Sequence, residues 1–586
     1  MGLFDRILQS RGLSDPGSRD EFLNPAYEYF KHDPFLLPDM NNAVERLVTA
    51  RENQDKITIY GDYDIDGLTA STVLIDAFES FGFEKVDIYI PNRFVEGYGL
   101  TIEAVEKIAA TGAQLIVTVD CGSLSEKEII RAKELGVDVI VTDHHNVAPV
   151  QPPAVAVINP KRLLQDYPDA YDGYGLRKEF RIQDVSDRGG RTVPDSKLNI
   201  PDSGLYPFLD LAGVGVAFKL VQALQTRLDG LPTGQEKWLL DLVALGTVCD
   251  VVTLVDENRA NVYWGLKVMA KTRRPGLRAL MAVAGVEPEK VSARSLGFGL
   301  GPRMNAAGRL ETAQYALDML RSTDKSTALR SSQLLDEMNR DRRADQDRIL
   351  EEAIVQAEKY VDDPVLVVSS PGWSHGIIGI VAAKLLEKYK KPTFVLEEMG
   401  KEAKGSARSY GDFSAADAIR AADDIITKGG GHKLAAGVTL PTKNIGAFRG
   451  RVNEFYASLE LRSQTELLLP KADAEASFGE IGETLVAQIN QLEPFGNGNP
   501  QPILKSVGVK VVGLRRMGSD AQHVKLDLRD VQGRTLQMLA FNAPEHFFVE
   551  VGTLVSVWYQ PDVNEWNGRR TIEGRLLHLE LSGATL

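Results

Sequence analysis

Ile57-Thr58-Ile59-Tyr60-Gly61-Asp62-Tyr63-Asp64-Ile65-Asp66-Gly67 decides the reading of this chain. Four β-branched or aromatic residues predict a strand. The strand runs into Gly61, and three acids follow at alternate positions before the helical spacing of Leu68–Phe81 begins. The same arrangement recurs outward from this stretch. Val86–Ile90, Leu115–Val119, Val137–Val141 and Val155–Ile158 are short apolar β-runs, with segments of helical length such as Leu124–Leu135 between them. Strands alternating with amphipathic helices predict an α/β fold, a largely parallel sheet with helices on both faces.

Three of these runs end in chemistry. Besides Asp62, Asp64 and Asp66, the third run ends in Asp120 and the fourth in Thr142-Asp143-His144-His145. Open parallel sheets bind ligands beyond the carboxyl ends of their strands, so carboxylates and imidazoles converge on one edge. Leu245-Gly246-Thr247-Val248-Cys249-Asp250 offers a further acid. Any single Asp here reads most simply as the cap of the following helix. A cluster reads differently, because carboxylates gathered without counter-charge raise one another's pKa and repel. Cations remove that cost, and oxygen ligands mixed with His point to Mn²⁺ or Mg²⁺ rather than structural zinc. Asp62-x-Asp64-x-Asp66-Gly67 also opens like a calcium loop, but the twelfth position is Val73 where a Glu is required.

The 586 residues exceed one hydrophobic core, and 43% hydrophobic with 25% charged residues is ordinary globular composition. No apolar run suggests a membrane span, and the N-terminus lacks signal-peptide character and a myristoylation signal. Two cysteines, Cys121 and Cys249, fit a reducing cytoplasm, so the expected location is cytoplasmic without membrane association. The net charge of −14 weighs against a nucleic-acid partner. Bound metals neutralise part of it, and a strand needs only a local basic groove.

The expected division is a helical preface over 1–45, a main α/β domain over 46–310, and a charge-rich helical connector over 311–360. A second α/β unit over 361–462 and a β-rich barrel over 463–586 follow. Residues 162–205, rich in Tyr, Asp, Gly and Arg without periodicity, read as an insertion.

Asp143-His144-His145 is the tripeptide that names the DHH phosphoesterases, and the chain resembles that superfamily motif by motif. In order stand Asp62–Gly67, Pro91-Asn92-Arg93, Glu96–Leu100, Val119–Gly122, Gly246–Val252 and Gly301–Arg309. Gly405-Ser406-Ala407-Arg408-Ser409 and Gly429-Gly430-Gly431-His432 resemble the associated DHHA1 domain. Within the superfamily the resemblance is to the RecJ exonucleases and covers nearly the whole chain, including Glu493–Pro500 at the lead-in to an OB-fold barrel.

The resemblance implies single-stranded-DNA-specific 5′→3′ exonuclease activity that releases 5′-mononucleotides, in DNA repair and recombination. It makes Asp64, Asp66, Asp120, His144 and Asp250 metal ligands for two divalent ions, Mn²⁺ first and Mg²⁺ as the alternative. Asp62, Asp143 and His145 become catalytic neighbours that orient ligands or handle protons. Arg93, Arg303, Asn305, Arg309, Ser406, Arg408, Gly430, Gly431 and His432 become substrate-binding residues. Guanidinium suits phosphate, and glycines admit backbone N–H groups to it. The arginines sit in Gly-rich or turn-like sequence, and the bland alternative for each is a surface ion pair, common and worth little. In the barrel, Arg515, Arg516, Lys525, Trp558, Tyr559, Trp566, Arg569 and Arg570 interleave cations with aromatics, as a single strand requires. His375 stands one residue later than in many relatives, which puts a substrate role for it in doubt. A monomer beside a helicase or a single-strand-binding protein is the expected setting. The alternatives are a DHH hydrolase of short oligonucleotides or cyclic dinucleotides, and a catalytically inactive binding subunit.

Overall fold

A computed structural model describes residues 1–178, 204–459, 461, 469–518, 520–566 and 569–582, with the side chains of Trp566 and Arg569 outside that set. Two compact units form. One comprises Met1–Pro91, Val95–Gly301 and Pro470–Leu586, the other Asn92–Phe94 and Pro302–Leu469.

The first unit is built on five parallel strands in the order β2-β1-β3-β4-β5. They are β1 Ile57–Gly61, β2 Val86–Tyr89, β3 Leu115–Val119, β4 Asp138–Thr142 and β5 Ala156–Ile158. Every residue of β1 and β3 is buried, which is why their sequences run apolar instead of alternating. On one face Tyr60, Ile116 and Val139 pack on α2 (Ile102–Ala110) and α3 (Glu126–Glu134) through Val105, Ile108, Ile129 and Ala132. Against the other lie α1 (Ile65–Ser80), α4 (Gly213–Leu224) and α5 (Leu240–Cys249), packed on one another. All of α4 is buried; its residues are apolar except Lys219, which pairs with Glu257 at 2.8 Å, and Gln222, which donates to the Tyr27 hydroxyl at 3.1 Å. The parallel sheet with helices on both faces is as expected. Helix α6 (Asp256–Met269) follows α5.

Of the segment read as an insertion, residues 179–203 lie outside the described set. Its described flanks close on each other. Leu176 bridges Phe208, and the buried Tyr171 donates its hydroxyl to the Tyr206 carbonyl at 2.8 Å.

In the second unit, α7 (Gly301–Leu310) leads to α8 (Gln314–Arg321) and α9 (Lys325–Ala357). The helical connector read over 311–360 comprises α8 and the long α9. Asp324 breaks it by capping α9, its carboxylate accepting from Thr327 N at 2.7 Å. Five strands follow, β6 Leu366–Pro371, β7 Thr393–Met399, β8 Glu402–Arg408, β9 Lys428–Gly431 and β10 Ala435–Pro441, in the order β6-β7-β8-β10-β9. Helix α10 (His375–Tyr389) packs on β7 and β8.

The chain then returns to the first unit as a closed barrel. Its strands are β11 Ala474–Glu475, β12 Leu504–Met517, β13 His523–Arg529, β14 Thr535–Ala540, β15 Leu554–Trp566 and β16 Arg569–Leu581. Pairing of β12 with β15 closes it, with β11 at the margin. The N-terminal residues are part of this barrel's core, to which the helix Leu3–Ser10 contributes Leu3, Ile7 and Leu8.

Candidate metal centre

The carboxyl ends of β1, β3 and β4 bring the sequence-identified acids together. Asp62 follows β1 and is buried. Asp64 caps α1, its carboxylate accepting from Gly67 N at 3.1 Å. Asp66 lies inside the first turn of α1, fully buried, and accepts from Gly213 N at 2.6 Å and Val214 N at 2.8 Å. Those two N–H groups are the free donors at the start of α4, a natural seat for an anion.

Asp120 follows β3 with a left-handed backbone (φ 61°) and is buried. Its Oδ1 lies 3.1 Å from His144 Nε2, which also stands 3.5 Å from Asp250 Oδ2 and 3.8 Å from Asp66 Oδ2. Asp250, the residue that ends α5, therefore joins a site built by segments more than a hundred positions earlier.

Asp143 serves as an organiser. Its carboxylate accepts from the backbone N–H groups of Ser123, His144 and His145 at 3.0, 2.7 and 3.1 Å, and lies 2.9 Å from His145 Nδ1. Asn159, also buried, braces the same turn by donating to the His145 carbonyl at 2.9 Å and to Ser123 Oγ at 2.8 Å.

The electrostatics divide these acids into two kinds. Burial, reinforced by the Asp64 charge, lifts Asp66 to about 7. Burial and the Asp66 and Asp64 charges lift Asp250 to about 9, and burial with Asp66, Asp64 and Asp62 raises Asp120 far above the carboxylate range. For Asp143, burial pushes upward too, but the hydrogen bond and charge of His145 outweigh it and hold the carboxyl well below its usual range. Burial and the neighbouring His145 depress His144 to about 3, so its imidazole stands neutral. His145 goes the other way, because Asp143 overcomes its burial.

Three acids raised by burial and by mutual repulsion, facing a neutral imidazole, suit cations. Asp120 Oδ1 and His144 Nε2 are buried atoms, 3.1 Å apart, without hydrogen-bond partners among the described residues. Adjacent ligands on an octahedral ion with bonds of about 2.1 Å lie roughly 3 Å apart. Among the described residues, three groups offer ligand atoms within 4.8 Å of one another: Asp120, His144 and His145; Asp66, His144 and Asp250; Asp62, Asp64 and Asp120. The donor set fits two hard divalent ions.

The expected substrate-binding residues fall in the second unit. Arg303, Asn305 and Arg309 stand on α7, not in turns, since Ala306 and Ala307 carry the glycine-flanked segment as helix. Arg303 pairs with Asp336 at 2.9 Å, and Arg309 donates to the Gly376 carbonyl at 2.9 Å. Ser406, Gly437 and Gly430 form one row across β8, β10 and β9, with Arg408 and Gly431 beside it. Arg408 is held by Ser406 Oγ at 3.1 Å and the Ala407 carbonyl at 2.8 Å, without a carboxylate among the described residues, and Gly429, Gly430 and Gly431 are exposed. His432 closes the strand, its N–H donating to the Ala435 carbonyl at 2.8 Å. Arg93 lies in the short Asn92–Phe94 piece of the same unit. His375 Nδ1 lies 3.3 Å from Glu397, and its ring stands edge-on to Phe94.

Sequence reasoning missed Tyr98, whose hydroxyl lies 3.3 Å from the His145 ring, and the Gly213–Val214 donors. The signal for the latter was present in Leu211-Ala212-Gly213-Val214-Gly215, glycines opening an otherwise apolar helix.

Comparison with known proteins agrees along the whole chain. Residues 56–247 match the DHH family N-terminal domain, 362–458 the DHHA1 domain and 472–578 the RecJ OB domain. The chain is 35% identical to the single-stranded-DNA-specific exonuclease RecJ of Bacillus subtilis over 96% of its own length and 66% of that protein's. It is 32% identical to the protein of the same name in Salmonella typhimurium, covering 92% of this chain and 89% of the relative. The crystal structure of RecJ from Thermus thermophilus in complex with Mn²⁺ superposes with a TM-score of 0.76 at 27% identity, over all of this chain and 77% of that one. Shared domain order, near-complete coverage and an acid–histidine cluster at the expected sheet edge together lead to one conclusion: the chain belongs to the RecJ family.

Proposed function

We propose that this chain is a metal-dependent, single-stranded-DNA-specific exonuclease that degrades from the 5′ end and releases 5′-mononucleotides, in DNA repair and recombination. The observation that carries the reading is the meeting of Asp64, Asp66, Asp120, His144 and Asp250 at one sheet edge, in a family whose named members are single-stranded-DNA-specific exonucleases. Those five residues would hold two divalent ions, Mn²⁺ or Mg²⁺, which when bound would supply an activated water and neutralise charge on the phosphoryl oxygens.

The chain's own groups do the rest. Asp143 fixes His145 through Nδ1 and keeps its proton available toward neutral pH, so His145 is placed to protonate the leaving 3′ oxygen. Arg408, charged and held only by neutral groups beside an exposed glycine strand, takes the terminal 5′ phosphate with Ser406, Gly430, Gly431 and His432. Arg93, Arg303, Asn305 and Arg309 line the strand's path. Residues 46–310 then hydrolyse, 361–462 hold the 5′ end, and 463–586 hold the strand, with 311–360 between. A cytoplasmic monomer beside a helicase or a single-strand-binding protein completes the reading and rests on composition and family. No described helix is long and apolar enough to cross a membrane.

The test is a 5′-phosphorylated single strand labelled at its 3′ end, incubated with wild type or Asp120→Ala, in Mn²⁺ or EDTA. A ladder shortening from the 5′ end, seen only with wild type and metal, is expected. Survival of the long strand while dinucleotides are cut would instead make the protein a hydrolase of short oligonucleotides.

A further inference from the structure

The segment Glu493-Pro494-Phe495-Gly496-Asn497-Gly498-Asn499-Pro500 leads into the barrel and takes no part in the chemistry described above. It is nevertheless docked against the chain that leaves Asp250. Asn497 makes two contacts there. Its side-chain Nδ2 donates to the Val251 carbonyl at 3.1 Å, and its own carbonyl accepts from Leu254 N at 2.7 Å. Gly496 permits the approach, because a Cβ at that position would lie 2.6 Å from Leu254 Cδ1. Gly498 (φ 74°) makes the turn, and Arg259, itself buried, fastens the segment by donating to the carbonyls of Leu492, Glu493 and Pro494.

What the segment holds is a strained joint. Val251 follows Asp250 directly and has φ 62°, a left-handed conformation that a β-branched residue avoids. The residue is two-thirds exposed, so packing does not hold it there (66%). The backbone on its far side is fixed by Thr253, whose N–H and Oγ1 both donate to Asp210 Oδ2 at 2.9 and 2.7 Å. At the joint itself, the hydrogen bond on the Val251 carbonyl comes from Asn497. Strain of this kind persists only where the surroundings over-determine it, and it concentrates at functional sites.

We propose that Asn497 is a positioning residue for Asp250: by pinning the left-handed Val251, the barrel's lead-in segment holds the last turn of α5 and the Asp250 carboxylate in register with His144 and Asp66. The proposal rests on the reading of Asp250 as a metal ligand. It gives the Pro494–Pro500 motif a role in the metal centre, apart from any contact with nucleic acid. Groups that orient ligands without touching the ion change metal affinity by about 10- to 100-fold when removed.

The experiment measures Mn²⁺ binding to the full-length, metal-stripped protein by calorimetry and by the Mn²⁺ paramagnetic resonance signal. It compares wild type, Asn497→Ala, Asn497→Asp and Asp250→Asn, with thermal unfolding in EDTA alongside. Asn497→Asp keeps shape and backbone contacts but lacks the Nδ2 donor. Both Asn497 variants are expected to weaken one Mn²⁺ site by at least about 10-fold while unfolding in EDTA within a few degrees of wild type. Wild-type Mn²⁺ binding in Asn497→Asp, with Asp250→Asn weakened, overturns the positioning role alone. Wild-type binding in Asp250→Asn overturns the ligand reading of Asp250 and the proposal with it. If both Asn497 variants lose the fold, the role is structural and the proposal fails.

Discussion

Gly213 offers the sharpest test of how the metal centre is assembled. It opens α4, donates its N–H to Asp66, and lies so close to Asp120 that a Cβ would stand 2.7 Å from Asp120 Cβ and 2.8 Å from its Oδ1. Ordinary contact begins near 3.4 Å, so Gly213→Ala must part α4 from Asp120 by about 0.7 Å in an interior packed like a crystal. The Gly213 and Val214 donors then leave Asp66, and hydrogen bonds to a charged group are worth about 1.5–3 kcal/mol each. Helix propensity acts the other way, because alanine is favoured over glycine by about 1 kcal/mol inside a helix. The two effects differ in sign, which makes the outcome decisive. We expect Mn²⁺ affinity and exonuclease kcat to fall by about 10- to 100-fold, as when ligand-orienting groups are lost, and chemical stability to fall with them. Calorimetric Mn²⁺ titration, single-strand degradation at saturating Mn²⁺ and urea unfolding of the metal-free protein measure the three. A Gly213→Ala protein at least as stable as wild type, with Mn²⁺ affinity within threefold, would refute the close approach of α4 to Asp120 and Asp66.

Other outcomes follow from the same geometry. Asp66 and Asp250, raised to about 7 and about 9, must ionise to bind metal, so Mn²⁺ affinity is expected to climb between pH 6 and 9 with protons released on binding. In the metal-free protein the folded state binds more protons than the unfolded one over that range, so its stability falls as pH rises from about 4 toward 9 and Mn²⁺ restores it; unfolding midpoints at several pH values, with and without metal, show the sign. Lys219, wholly buried, pairs with Glu257 at 2.8 Å, and Lys219→Met leaves that carboxylate uncompensated; urea unfolding should show a loss of about 3–5 kcal/mol. Arg408→Lys keeps the charge but gives up the planar fork, so KM for a 5′-phosphorylated strand should rise several-fold or more while Mn²⁺ affinity stays unchanged, read by steady-state kinetics beside calorimetry.

Much of this molecule is legible from the order of its residues. Strands β1, β3 and β4 each announce themselves as β-favouring runs, and the acids at their ends converge because parallel strands in one sheet share a carboxyl edge. The second unit was read less well. Strands β8 and β9 are Glu-Ala-Lys-Gly-Ser-Ala-Arg and Lys-Gly-Gly-Gly, which carry no apolar period, and their pairing is set by β7 and β10 instead. The barrel's last strand, Arg569–Leu581, was likewise unrecognised, since its register comes from lying along β15 and beside β14. Leu3, Ile7 and Leu8 read as a preface and are core, because their partners come from the far end of the chain.

The parallel sheet, the acids at its edge and the family are legible along the chain, because those signals lie within single βα units and in motif order. That Asp66 sits on the N–H groups of Gly213 and Val214, that Asp250 meets His144, and that Asn497 grips Val251 emerges only from the folded packing. Such contacts join residues more than a hundred positions apart, and the packing that brings them within 3 or 4 Å depends on the whole core at once, which local periodicity does not record.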